Sequence, residues 1–389
     1  MLKLYWLCGL VALSGAACSS TSTTIERGDG GAGGAGSGGA AGAGGTAGQA
    51  AAGGTAGTGG NTAGAGGNAA GGSAGQATGG DGGSAGNGGG CSTALADCAG
   101  DSCPVEELYT GLGTISGLAV AASQIYFTHS VGTNSVLVRA PKAGGCPEVI
   151  VDDLASAGSV RDLANDTDSV WVATSEVGRQ VIRVDKDTLQ ANVMVNGSFC
   201  DAPRPLIAQN STRLFFTCAS SGGFIGRLDK LGGAPEVHVD PVGETLLPTS
   251  LAASDNWVFF ADGSSLRVDT TDGSVGGTVT IGTDIERVAV GLSGLYAQHS
   301  NEVWRTGPDG SVPELFIPNL AAVSNFAAQA GIVLASDNKD QSGERVIGRG
   351  EQLQIARIYS DTEGRVTALG ADAKYVYWAA SGTIRRRAR

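Results

Sequence analysis

A Leu-Ala-like pair recurs seven times along the carboxyl-terminal part of the chain. It stands at Leu118-Ala119, Leu163-Ala164, Ile207-Ala208, Leu251-Ala252, Val288-Ala289, Phe326-Ala327 and Leu369-Gly370, with spacings of 45, 44, 44, 37, 38 and 43 residues. Seven residues after the first member (six in one copy) comes an apolar triplet: Ile125-Tyr126-Phe127, Val170-Trp171-Val172, Leu214-Phe215-Phe216, Val258-Phe259-Phe260, Leu295-Tyr296-Ala297, Ile332-Val333-Leu334 and Val376-Tyr377-Trp378. Six of the seven central residues are aromatic, so each unit offers a short, heavily buried strand at a set distance from the last.

Each triplet is followed by a third segment ending in or near Arg, such as Val136–Ala140, Val181–Asp185, Ile225–Asp229 and Thr383–Arg387. Turns such as Gly144-Gly145, Gly232-Gly233 and Asp309-Gly310 lead into a fourth segment, because Gly and Asp-Gly accept positive φ at low cost. Four short strands per unit of about 40 residues, without an amphipathic helix between them, predict a β-propeller. The last unit stops after its third segment. A strand of fourth-segment character opens the array instead, in "CPVEELYTGLG" (Cys103–Gly113), comparable with "CPEVIVDDL", "APEVHVD" and "VPELFIPNL". The expectation is an all-β, seven-bladed β-propeller of four-stranded blades, in which Val105–Thr110 pairs beside Thr383–Arg387 and seals the ring.

The repeat grammar over Val105–Arg389 resembles the broad class of NHL-, YVTN- and streptogramin-lyase-like propellers. That resemblance implies a fold rather than an activity.

Ahead of the repeats, Lys3, the apolar run Leu4–Leu13 and the small residues Gly15-Ala16-Ala17 read as an export signal over residues 1–17. The Ala-Ala-Cys ending resembles a bacterial lipoprotein signal, which implies a diacylated Cys18 and, with Ser19 next, an outer-membrane destination facing the cell surface or periplasm. The same small residues suit ordinary signal peptidase, which would leave a secreted soluble protein. Residues 18–90 are Gly/Ala-rich and have too few large side chains to offset ordering entropy, so they read as a disordered tether. About 60 such residues span roughly 45 Å. Residues 91–103 form a Cys-containing lead-in and residues 104–389 the propeller.

Six cysteines remain after Cys8 and Cys18, an even number that reads as disulfides in an exported chain. Strands two and four of a blade end on the same face, so Cys200, after the fourth strand of blade 2, is expected to bond Cys218, after the second strand of blade 3. Cys91, Cys98, Cys103 and Cys146 allow three pairings.

A net charge of -12 argues against a nucleic-acid partner. No HExxH, GxSxG, P-loop or EF-hand spacing occurs. The three histidines suggest no shared metal: His129 and His299 are repeat equivalents in blades that do not adjoin, and His238 falls on an outer strand. The candidate binding residues are polar groups at the start of the innermost strands, where they would rim the channel: Arg161 and Asp162, Glu286 and Arg287, and Asn325, with Ser116, Thr249-Ser250, Ser324 and Thr367 beside them. Asp162, Glu286 and Asn325 are the oxygen donors that a divalent cation would take; no other cofactor is expected. The terminal arginines of "TIRRRAR" are expected to pair with Glu106 and Glu107 on the closing strand. The favoured reading is a monomeric, non-enzymatic, membrane-tethered module that binds an extracellular protein, peptide or glycan. Its alternatives are a metal-dependent hydrolase or lyase at the channel mouth, and a structural subunit of an envelope assembly.

Overall fold

The computed structural model describes Cys91, Ser92, Leu95, Cys98 and residues 103–389, apart from 155–158, 176–179, 201–205, 219–222, 240–247, 263–264, 275, 280, 282–283, 308–310, 341–342 and 354–355. The export signal, Cys18, the tether and the Asp309-Gly310 turn lie outside the described residues.

The described strands form seven antiparallel four-stranded sheets, with no helix among the described residues. Blade 1 runs Ile115–Val120, Gln124–Val131, Asn134–Pro141 and Glu148–Val151 from the inside outward. The innermost strands of blades 2 to 7 are Val160–Asn165, Ile207–Gln209, Ser250–Ala253, Ile285–Val290, Val323–Gln329 and Val366–Ala371. Each touches the innermost strand of the blade before and after it, and that of blade 7 touches that of blade 1, so the ring is closed.

The apolar triplets explain why the sheets must stack. Successive strand residues face opposite ways, so the central residue of a triplet faces one neighbouring blade and its flanks face the other. Trp171 packs towards Ile207, Leu214 and Phe216 of blade 3, whereas Val170 and Val172 pack with Ala119, Tyr126 and Leu137 of blade 1. Tyr126, Phe215, Tyr296 and Tyr377 repeat the arrangement at other seams. Among the described residues, seven clusters of buried residues result, one at each seam. Burying a side chain of this size contributes about 1.5–3 kcal/mol, available only when a neighbour covers it.

Blade 7 is completed as expected. Glu106–Tyr109 pairs antiparallel with Thr383–Ala388, matching Glu106 to Arg386 and Glu107 to Arg385. Both pairs carry ion contacts, Arg386 Nε to Glu106 Oε2 at 2.6 Å and Arg385 Nη2 to Glu107 Oε1 at 2.9 Å. The Arg386–Glu106 contact is one copy of a recurring device. Arg139–Glu148, Arg227–Glu236 and Arg305–Glu314 link the third and fourth strands of blades 1, 3 and 5 at the same register. Glu106 is therefore the fourth-strand glutamate of a unit whose other three strands lie at the far end of the chain.

Cys200 and Cys218, the pair singled out from strand topology, are bonded to each other. The pairings left open are Cys91–Cys146 and Cys98–Cys103. The seams next to blade 1 are tight: a Cβ on Gly117 would lie 2.8 Å from Leu163 Cβ of blade 2, and one on Gly370 of blade 7 would lie 2.7 Å from Val120 Cγ2.

Candidate functional site: the two mouths of the channel

The innermost strands of blades 1, 2, 5, 6 and 7 are irregular near their first residues. Register shifts fall between Ile115 and Gly117, Val160 and Asp162, Ile285 and Arg287, Val323 and Phe326, and Val366 and Ala368. The extra residues are Ser116, Arg161, Glu286, one of the pair Ser324-Asn325 (which together oppose Ser336), and Thr367, all members of the polar set picked out from the sequence. A bulge leaves its extra residue outside the ladder and re-aims the side chain. Here Ser116, Arg161 and Glu286 are exposed.

Their neighbours mostly tie one blade to the next. Asp162 of blade 2 accepts from the Leu163 amide at 2.9 Å and, across the seam, from the Ile207 amide at 3.0 Å. Burial pushes the Asp162 carboxyl up to about 6, against the opposing pull of those two amides. Ser250 Oγ of blade 4 accepts from the Val288 amide at 3.0 Å. Arg287 of blade 5 donates to the Val323 carbonyl at 2.8 Å and to Gln298 Oε1 at 3.1 Å, and burial lowers its pKa. Asn325 of blade 6 donates to the Val366 carbonyl of blade 7. Glu286 accepts from Gln298 Nε2 at 2.8 Å, and Arg161 Nε donates to Ser175 Oγ at 2.9 Å.

Of the three residues proposed for a cation, Asp162 accepts across a seam from the Ile207 amide, Glu286 accepts from Gln298 of its own blade, and Asn325 is oriented through its amide nitrogen on the Val366 carbonyl; no group of three or more metal-binding side chains occurs among the described residues. Sequence reasoning missed Glu344, a buried third-strand carboxylate that accepts from Ser324 Oγ at 2.6 Å and the Val366 amide at 2.9 Å. Nothing in the repeat marks that residue, because its partners come from two other strands.

The opposite mouth, at the far ends of the innermost strands, holds a cleft of about 650 Å³. Val120, Ala121 and Ala122 of blade 1 and Ala330 of blade 6 form apolar walls; Asn165, Gln329, Lys142, Asp372 and Lys374 supply polar groups. Asp372 sits in the turn after the innermost strand of blade 7. It accepts from the amides of Lys374 (2.7 Å) and Tyr375 (2.8 Å), from the Tyr377 hydroxyl (2.9 Å), and from Lys142 of blade 1. Burial alone would raise the Asp372 carboxyl, but Lys142 and these donors together hold it below its ordinary value. Burial and the adjacent Asp372 charge raise the Tyr377 phenol, which stays protonated as a donor.

The same unit recurs between blades 2 and 3. Asp166 accepts from Trp171 Nε1 at 3.0 Å and pairs with Lys230 at 3.1 Å, beside a smaller hollow of about 270 Å³. In blades 1 and 6 the equivalent turn residue is Ala121 or Ala330, and that shortening opens the larger cleft. The signal was present in the sequence as "VAAS" and "QAGI" set against "NDTD" and "ADAK".

No family model and no curated protein matches this chain. Among solved structures, the chain is similar to PorZ, an essential bacterial surface component of the type-IX secretion system of Porphyromonas gingivalis. The TM-score is 0.54 at 11% identity, over 72% of this chain and 37% of that one. An oligogalacturonate lyase in complex with manganese matches with TM-score 0.50 and 12% identity, over 68% of this chain and 86% of that one. BamB from Moraxella catarrhalis matches with TM-score 0.46 and 15% identity, over 71% and 86%. The chain spans little more than a third of PorZ. At these identities the likeness concerns the fold.

Proposed function

We propose that this chain is a non-enzymatic interaction module of the cell envelope, a stiff propeller that receives a protein, peptide or glycan at the cleft formed by blades 1, 2, 6 and 7. The observation that carries this reading is the cleft itself. It is about 650 Å³, within the range of ligand sites, and its polar groups are positioned by strand ends and by the Lys142–Asp372 pair. Three disulfides fit an oxidising compartment outside the cytoplasm. Lipidation at Cys18, with the Gly/Ala tract as a tether to the outer membrane, is the attachment that suits this role.

Asp162, Asn325 and Arg287 tie neighbouring blades together at the other mouth, which leaves the cleft as the mouth for a partner. PorZ is a surface component that shares this fold, which supports an envelope setting.

The test is to fill the cleft. An Ala121→Trp/Ala330→Trp variant, with melting temperature and circular dichroism unchanged, is expected to lose photo-crosslinking from a probe at Lys374 to envelope components that the unfilled protein captures. An Arg161→Glu/Glu286→Arg variant at the opposite mouth is expected to retain it. Loss in the second variant and retention in the first would overturn the assignment to this mouth.

A further inference from the structure

Ring closure has a thin seam. Its closing strand, Glu106–Tyr109, has four residues, and the register breaks between Glu107 and Tyr109. Tension arriving along the backbone from the amino-terminal side would run directly into that strand and peel it away from Thr383–Ala388, reopening the wheel.

The lead-in offers another route. Cys91 is bonded to Cys146, in the turn that precedes the outer strand of blade 1, with Cα atoms 4.1 Å apart. Ser92 exchanges two backbone hydrogen bonds with Gly145, and the Leu95 amide donates to the Ala143 carbonyl. A second disulfide, Cys98–Cys103, shortens the following stretch, and the Cys98 amide donates to the Tyr375 hydroxyl of blade 7 at 3.3 Å. From Cys91 onward the covalent chain therefore branches. One branch crosses the disulfide into blade 1. The other follows the backbone through the closing strand, 55 residues to the same Cys146, about 175 Å at full extension with Cys98–Cys103 bonded. Load follows the taut branch, and the longer branch stays slack.

We propose that the Cys91–Cys146 disulfide is a tension-carrying clasp: it passes tension from the amino-terminal side into blade 1 and keeps the ring-closing strand out of the load path. Blade 1 is a safer point of entry for a topological reason. Its outer strand, Glu148–Val151, can fray without opening the ring, because closure depends on the four strands of blade 7. The clasp follows from chain connectivity and holds whichever partner the cleft receives. If that partner is fixed and the chain is anchored upstream, every pull on the complex passes through this bond.

The experiment is single-molecule stretching in an optical trap, with one handle in the Gly/Ala tract ahead of Cys91 and the other at Asn301. Asn301 is exposed in the turn between the second and third strands of blade 5, on the face opposite the lead-in. The Cys91→Ser/Cys146→Ser variant is expected to show an early step at lower load than any in the oxidised protein. The step should lengthen the chain by less than about 60 Å, the extended length of Cys91–Gly113 with Cys98–Cys103 still bonded, less the distance those ends already span in the fold. Adding Glu106→Ala is expected to lower that early step further in the clasp-free variant and leave the first event of the oxidised protein unchanged.

A second readout needs no variant. With a small thiol in the trap, its thiolate attacks one sulfur of Cys91–Cys146, forming a mixed disulfide and releasing the other sulfur as a thiolate; this exchange should accelerate with force and be followed at once by the same lengthening step. Cleavage at a rate independent of load, or a Glu106→Ala effect of equal size in both backgrounds, would overturn the proposal.

Discussion

The contact that seals the ring should be worth several times its copies in other blades, because burial differs while chemistry does not. Arg386 is 2% exposed and Glu106 16%, whereas Arg139 and Glu148 of blade 1 are 29% and 53% exposed with the same 2.6 Å contact. Arg386 also donates to the Lys142 carbonyl at 2.7 Å and lies 4.3 Å from the centre of the Tyr375 ring, so blades 7 and 1 both hold it. Removing one member of a buried pair costs about 3–5 kcal/mol, since the other charge is left without its counter-ion. An exposed pair is worth about 0.2–1 kcal/mol. The partial exposure of Glu106 places Glu106→Ala near the lower end of the first range, about 3 kcal/mol. The coupling between Glu106→Ala and Arg386→Ala should then match a hydrogen bond to a charged group, about 1.5–3 kcal/mol. The corresponding coupling for Arg139→Ala and Glu148→Ala should be about 0.5 kcal/mol or less. Both cycles can be measured by urea unfolding at pH 7 with the disulfides intact. Equal couplings in the two blades would refute the argument that burial at the closure sets the value of this contact.

Three further outcomes are expected. Gly117→Ala should lower stability by about 1–3 kcal/mol in thermal or urea melts, because the added methyl would crowd Leu163 across the blade 1–2 seam. Replacing Cys200 and Cys218 by Ala should cost about 3 kcal/mol on the loop-entropy account, read as a lower urea midpoint, since they close an 18-residue separation between blades 2 and 3. The Asp162 carboxyl should titrate near 6 by carbon NMR rather than at its ordinary 3.8. With the folded value raised, the native state binds the extra proton between those limits, so this group adds stability as pH falls from about 6 towards 3.8 and none of it remains above about 7. Asp162→Asn should remove that component of the pH dependence; an unchanged profile would show that another group is responsible.

Blade number, strand order and the carboxyl-terminal site of closure were legible in the sequence, because they follow from local periodicity. An apolar triplet such as Val170-Trp171-Val172 must bury both faces, and only a neighbouring sheet on each side can cover them. The fourth-segment character of "VEELY" likewise marked it as a strand without a blade of its own, and Cys200 with Cys218 followed from which strand ends share a face. The pairing of Cys91 with Cys146 and of Cys98 with Cys103 was settled only by how the lead-in crosses the turn at Gly145, a contact between segments whose order in the chain says nothing about their distance. The channel residues show the same boundary. That Arg161, Asp162, Glu286, Arg287 and Asn325 sit at the starts of innermost strands could be counted along the chain. That Asp162 reaches Ile207 and Asn325 reaches Val366 required adjacent blades to be in place. The cleft at the other mouth exists because short side chains at Ala121 and Ala330 come from units five blades apart in the chain and neighbouring in the closed ring around blade 7. Periodicity along a chain reports what each strand must bury, and only ring closure decides which distant turns face one another.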